Sequence, residues 1–349
     1  MIRVLVVDDS LTVRQHLIEV ISRDPELEVV GQAADGRRAV ELAATLRPDV
    51  ITLDLVMPDM TGVAATEQIM AHSPTPILVV SSSFNRGELF DTYAALSAGA
   101  VDVLDKSAVD DPQWDARFLS ALRMVARIKV ITHPRGRLGA LGRVGKPTSP
   151  PPPAPAPDLR AVEVIAIGAS TGGPAALCQV LGSIGAPFPL PILLILHIDA
   201  RFATAFGDWL AGQTKHVVRV ADDGVAVAPG QVLLGPPGHH MTVVNRRVRL
   251  TSTPPRHHCR PSIDVLFESV AAEYGAGAAA AILTGMGRDG AAGLLAIRRA
   301  GGLTFGQNEA TCIIYGMPRE AMVCGAVERE LPLGQIGPAL DVLRSGQRP

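Results

Sequence analysis

Asp8 and Asp9 close the first apolar run, Val4-Leu5-Val6-Val7, and Asp54 closes a later one, Val50-Ile51-Thr52-Leu53. Continuous apolar runs of this length read as buried strands of a parallel sheet, and ligands gather beyond the carboxyl ends of such strands. The three carboxylates therefore converge on one edge. Acids so placed repel one another unless a hard cation joins them. Mg²⁺, bound by a few carboxylates while keeping some of its waters, fits this donor set. Two further runs end in Ser81 and in Asp105-Lys106. Three acids, a hydroxyl and a lysine at successive strand ends form a site that receives a phosphoryl group on a carboxylate, with Asp54 as the acceptor.

A second constellation lies in the other half of the chain. Gly168-Ala169-Ser170-Thr171-Gly172-Gly173-Pro174 follows the strand-like run 162–167 and opens a helix predicted from Ala175 to about Ile184. Its core fits G-x-S-x-G, where a tight strand-to-helix turn exposes the serine and the helix N-terminus favours developing negative charge. Serine needs a base, itself oriented by a third group. His197 ends the run 191–196, and Asp289 lies in the loop Thr284–Gly290 that follows the run 278–283. A Ser-His-Asp set is recognised by geometry and roles, not by chain order.

Each member alone has a plainer reading. Glycine turns allow close packing or bind phosphate at a helix N-terminus, a single histidine is often structural, and Asp289 could cap the helix that follows it. Three suitable residue types at three strand ends favour acyl transfer over these. A Walker loop is excluded because no lysine follows Gly173, and glycines at 168, 172 and 173 miss the G-x-G-x-x-G spacing. Asp199, near the position of a ribose-binding acid, keeps dinucleotide binding as an alternative.

Strands and helices must hold these residues in place. Residues 1–130 alternate apolar strand-like runs with helical segments, such as Val13, Leu17, Ile18 and Ile21 on one face, in the rhythm of a doubly wound α/β domain. The last of these helices is expected from about Gln113 to Val130. Residues 131–160 read as a linker, since Pro150–Pro157 holds too many prolines for a helix or a central strand. Residues 161–345 form a second doubly wound, mainly parallel α/β unit. Its middle, 217–251, carries shorter β-like segments separated by Asp223-Gly224, Pro229-Gly230 and Pro237-Gly238 turns.

Hydrophobic residues make up 47% of the 349-residue chain, enough for two large cores, and the net charge of −2 argues against nucleic acid as a partner. The four cysteines stand apart without metal-ligand spacing and read as small packed hydrophobes in a reducing cytosol. The adjacent pairs His239-His240 and His257-His258 read as exposed loops, so no zinc and no cofactor is expected in the second half. No apolar stretch approaches the ~18–20 residues that span a bilayer, and the N-terminus enters a strand without a signal peptide. A cytoplasmic protein without membrane insertion is expected.

The residues around the two sites resemble two known families. The first half is similar to response-regulator receiver domains in Asp8, Asp9, the stretch Asp54-Leu55-Val56-Met57-Pro58-Asp59-Met60-Thr61-Gly62, Ser81 and Lys106. The second half resembles the catalytic domain of the chemotaxis protein-glutamate methylesterases, the CheB family. It does so in G-A-S-T-G-G-P around Ser170, in the strand ending at His197, in R-P-S-I-D-V-L-F at 260–267, in T-G-M-G-R-D-G-A-A-G-L-L at 284–295 and in Y-G-M-P-R at 315–319.

The resemblance implies a flavodoxin-like receiver with strand order 2-1-3-4-5, Mg²⁺ on Asp8, Asp9 and Asp54, and Ser81 and Lys106 as the phosphoryl switch. It implies a hydrolase-type second domain with Ser170, His197 and Asp289 as catalytic residues, the Met286 amide in the oxyanion site and Thr171 as a positioning hydroxyl. The implied reaction is hydrolysis of glutamate γ-methyl esters on the cytoplasmic helices of chemoreceptors, with glutamine deamidation as a companion activity. A sensor histidine kinase would phosphorylate Asp54 and so lift the receiver from the Ser170 cleft. A non-catalytic receptor-binding scaffold is the other alternative. Three departures from the pattern stand out: Ser107 where receivers usually have proline, Val103 where a switch aromatic often stands, and Ile198-Asp199 after His197.

Overall fold

The computed structural model describes residues 1–81, 86–106, 113–128, 130, 161–198 and 200–345. The expected linker, Ser107 and Asp199 lie outside the described residues. In the first unit β1 (Ile2–Val7), α1 (Leu11–Ser22), β2 (Leu27–Ala33), α2 (Gly36–Leu46) and β3 (Val50–Leu53) are followed by α3 (Gly62–His72), β4 (Ile77–Ser81), α4 (Arg86–Ala98), β5 (Asp102–Asp105) and α5 (Trp114–Val125). The strands lie in the order β2-β1-β3-β4-β5, all parallel, as the resemblance implies. The chain reverses direction across the sheet between β1 and β3, and Asp8 and Asp54 follow those two strands at this switch point. Ser10, Asp35 and Thr61 cap α1, α2 and α3 with side-chain oxygens. α5 ends at Val125, five residues short of the sequence expectation.

The second unit contains β6 (Val164–Ala169), α6 (Gly173–Gly182), β7 (Ile192–Leu196), α7 (Ala200–Thr214), β8 (Val217–Val220) and β9 (Gln231–Leu234). The hairpin β10 (His240–Val244) and β11 (Arg247–Thr251) follows. Then come α8 (Ile263–Tyr274), β12 (Ala278–Ile282), α9 (Ala291–Arg299), β13 (Leu303–Gln307), α10 (Met317–Val323), β14 (Arg329–Leu331) and α11 (Leu333–Asp341). Seven parallel strands form one sheet, in the order β14-β13-β12-β6-β7-β9-β8. β6, β7 and β12 are buried along their whole length, which explains their unbroken apolar character. The predicted turns at Gly224, Gly230 and Gly238 all have positive φ. The β10–β11 turn lacks glycine, and Asn245 and Arg246 both adopt positive φ there. No helix is long and apolar enough to cross a membrane among the described residues.

The two units pack through α4 against α6 and α7. Tyr93 of α4 is fully buried, its ring 5.3 Å from those of Phe206 and Trp209 on α7. An aromatic cluster of this kind stabilises by apolar burial and by tilted ring contacts.

Candidate active site

Ser170 stands one residue beyond β6 and His197 one beyond β7, and these strands are hydrogen-bonded neighbours in which Ala169 pairs with Leu196. The register continues past the strand ends, where the His197 N–H donates to the Ala169 carbonyl. On the other side of β6, β12 leads into the loop that carries Asp289. β6 and β12 flank the switch point of the second sheet, where a crevice forms beyond the strand ends.

Gly285 makes the close approach to Ser170 feasible, since a Cβ there would lie 2.6 Å from the Ser170 Cβ. Gly172 turns the chain into α6 with φ 76°, a conformation that costs glycine nothing.

His197 donates from Nε2 to Asp289 Oδ2 at 2.9 Å, and both side chains are largely buried. Asp289 is fixed from three further directions: Oδ1 accepts from Ser262 Oγ at 2.7 Å and from the Asp264 amide at 3.1 Å, while Oδ2 accepts from the Ile263 amide at 2.7 Å. These donors open α8, so the carboxylate caps a helix 25 residues upstream in sequence. The alternative that Asp289 caps the following helix is overturned, because the N-cap of α9 is Gly290 and no side chain caps that helix. Burial opposes the Asp289 charge, but the bonds from His197, Ser262 and Ile263 outweigh it and hold the carboxyl below its ordinary range. For His197, burial likewise opposes the charged ring, yet Asp289 and the Cys259 contact raise its pKa to about 9.

With Nε2 committed to Asp289, Nδ1 is the free ring nitrogen. Cys259 Sγ faces it at 3.7 Å and also lies 3.4 Å from the His257 carbonyl oxygen. No hydrogen bond joins Ser170 to His197 among the described residues, although both line one cavity of about 370 Å³ with Thr171, Cys259 and Arg260. Catalytic hydrogen bonds are often long before substrate arrives. Met286 points its side chain outward, 61% exposed, and its amide N–H has no acceptor among the described residues.

The receiver-like unit closes part of that cavity with Leu96, Val101, Asp102 and Val103. Burial pushes the Asp102 carboxyl up to about 6, against the pull of the hydrogen bond it accepts from the Val103 amide.

In the first unit, one oxygen each of Asp8, Asp9 and Asp54 lies within 4.8 Å of the others. Lys106 Nζ reaches Asp54 Oδ2 at 2.9 Å and Asp8 Oδ2 at 3.1 Å. Burial alone would lower the Lys106 pKa, but the two carboxylates raise it. Asp8 is shifted up, chiefly by burial and against the pull of Lys106. The Ser81 hydroxyl is buried beside this set without a partner among the described residues. An all-oxygen donor set with excess negative charge fits a hard divalent cation, and the unpartnered Ser81 hydroxyl can donate to an oxyanion.

Sequence reasoning missed Ser262, Asp264 and Cys259. The serine ahead of an apolar run was a legible N-cap signal, but its bond to Asp289 was not. In each histidine pair one member, His239 and His258, is exposed as expected and the other is not. His240 is buried, with Nδ1 accepting from the Ser262 amide, and His257 Nε2 is 3.1 Å from the buried Asp264 carboxylate. Both hold the loop before α8 in place.

A family model described as CheB methylesterase matches residues 165–340, and one described as response regulator receiver domain matches residues 4–113. A protein-glutamate methylesterase/protein-glutamine glutaminase of Anaeromyxobacter dehalogenans is 42% identical over 345 residues, covering 97% of this chain and 96% of its own length. One of the same name from Pseudomonas aeruginosa is 42% identical over 344 residues, with 97% and 96% covered. The crystal structure of the Thermotoga maritima CheB methylesterase catalytic domain is similar with a TM-score of 0.51 at 30% identity, covering 53% of this chain and 100% of that one. Two parallel sheets, each with its polar residues at the switch point, and likeness along nearly the whole length lead to one conclusion: the chain belongs to the CheB methylesterase family, with a response regulator receiver domain ahead of the esterase domain.

Proposed function

We propose that this enzyme is a phosphorylation-regulated protein-glutamate methylesterase, a cytoplasmic hydrolase of glutamate γ-methyl esters on chemoreceptor helices that also deamidates receptor glutamines. The observation that carries this reading is the His197–Asp289 pair at 2.9 Å, set in the strand-end cavity that Ser170 also lines. Ser170 Oγ attacks the ester carbonyl carbon while His197 Nδ1 takes its proton. Cys259 Sγ, whose thiol donates to the His257 carbonyl, stands beside Nδ1 and gives way to the serine hydroxyl. Asp289 holds the ring and stabilises the imidazolium, and the raised His197 pKa has the same origin. The Met286 amide stabilises the oxyanion, and Thr171 positions the ester. The C–O bond to methanol then breaks with return of the proton, and water hydrolyses the acyl-enzyme to glutamate. The direct test is release of labelled methanol from methylated receptor membranes.

Asp54 receives a phosphoryl group from a sensor histidine kinase. Asp8, Asp9 and Asp54 would hold Mg²⁺, which when bound neutralises charge on the incoming group. Lys106 pairs with Asp54 beforehand, and Ser81 offers the hydroxyl that meets a phosphoryl oxygen. α4 and β5 wall part of the cavity that Ser170 lines, and this supports the receiver acting as a lid over the path of a receptor helix. Phosphorylation opens it only by favouring a receiver state that binds the esterase domain less well. A phosphodonor is expected to raise methanol release from the wild type and to leave Asp54→Ala at its basal rate. Equal rates in wild type with and without donor would remove the switch.

The ring of Tyr93, buried against Phe206 and Trp209, is the large apolar contact between α4 and α7. Truncating a buried aromatic costs about 3–5 kcal/mol. Tyr93→Ala is therefore expected to raise the basal rate toward that of a chain lacking residues 1–130. An unchanged rate without phosphodonor would show that the α4 contact does not restrain the enzyme.

A further inference from the structure

We propose that Cys259 and His197 form an inhibitory binding site for a thiophilic divalent cation such as Zn²⁺. The Cys259 Sγ to His197 Nδ1 separation is 3.7 Å. A tetrahedral Zn²⁺ with Zn–S of about 2.3 Å and Zn–N of about 2.0–2.1 Å keeps its sulfur and nitrogen roughly 3.6 Å apart. The two donors therefore already span one edge of the coordination tetrahedron.

The surroundings are those of a metal-ligating histidine. Such a ring donates its second nitrogen to a carboxylate, which fixes the tautomer and strengthens the ligating nitrogen. Asp289 does this at Nε2, and its own oxygens are held by Ser262, Ile263 and Asp264. It therefore serves as the orienting group and not as a ligand. Cys259 is equally well placed by its backbone. Arg256 and Cys259 exchange both main-chain hydrogen bonds, at 3.1 and 2.9 Å, across a turn in which His257 and His258 have positive φ. His257 is tied to the buried Asp264, so the turn is anchored at its tip. The remaining coordination positions open into the cavity and can be filled by water.

Binding takes the proton from the thiol and, where the ring is charged, the one on His197 Nδ1, and releases both to solvent. A thiolate selects Zn²⁺ over Mg²⁺, because soft sulfur suits the borderline-soft ion and the hard ion prefers oxygen. This separates the site from the carboxylates of the receiver. The cation would occupy the lone pair on Nδ1 that must accept the Ser170 proton, so hydrolysis stops while it is bound. The inhibitory consequence rests on the proposed role of His197; the binding itself does not.

The test uses the full chain in excess Mg²⁺. Co²⁺ in place of Zn²⁺ is expected to give a thiolate-to-metal charge-transfer band in wild type that is absent from Cys259→Ala and Cys259→Ser. Zn²⁺ is expected to inhibit methanol release reversibly, with chelator restoring it. Each variant is compared with its own metal-free rate, and Cys259→Ala should need at least about 100-fold more Zn²⁺, since loss of an outer partner alone costs 10–100-fold. No thiolate band in wild type, a band that persists in both variants, or equal Zn²⁺ sensitivity of wild type and Cys259→Ala would each overturn the proposal. A Cys259-dependent band in a chain that releases no methanol would keep the metal site and refute the esterase reading.

Discussion

Ser170→Ala is expected to lower methanol release from methylated receptor membranes by about 10⁶-fold, the scale seen when a triad nucleophile is removed. The loss should be chemical and not structural. The Ser170 amide donates to the Thr284 carbonyl at 3.0 Å, and its carbonyl accepts from Gly173 at 2.7 Å; alanine keeps both bonds. Deleting one hydroxyl that has no hydrogen-bond partner among the described residues leaves no buried group stranded. An unchanged melting temperature with residual turnover near 10³-fold above the uncatalysed rate is the expected pair of results, since the oxyanion site and binding persist. A variant that still released methanol at the wild-type rate would remove Ser170 as the nucleophile, and a wild type that released none would leave the second domain a receptor-binding scaffold.

Asp289 separates two consequences that its neighbours share. Asp289→Asn, with its one oxygen in the place of Oδ1, still accepts from the Ser262 hydroxyl and the Asp264 amide, but it turns an NH2 toward the Ile263 amide and His197 and loses the charge that fixes the His197 tautomer and favours the imidazolium. A drop of about 10⁴-fold in rate is expected, with modest change in stability. Asp289→Ala removes the acceptor for all three donors at the buried start of α8. Each unsatisfied buried group costs about 1–3 kcal/mol, so this variant should lose stability as well as rate. Melting temperatures of the two proteins measured beside their rates check the distinction. Equal destabilisation by both substitutions would show that the charge, and not the accepting oxygen, holds α8.

Much of this was legible beforehand for a definite reason. Strand runs such as 4–7 and 50–53 are continuous because both faces of a parallel strand are covered, and residues at their ends fall at one edge whatever the rest of the chain does. Asp8, Asp54, Ser170 and His197 could thus be placed from local pattern alone. The hairpin turn at Asn245-Arg246 escaped notice because it takes positive φ without glycine.

Other features depend on pairings that no local period encodes. Cys259 meets His197 across 62 positions, and Asp289 caps a helix that lies earlier in the chain. Tyr93 buries its ring against α7 of the other domain, where α4 showed no clear apolar stripe to announce it. Residue type and spacing determined which chemistry was available and on which edge it would gather. Which side chain finds which partner was decided by packing, because contacts between distant segments are chosen by burial and hydrogen-bond satisfaction across the whole fold.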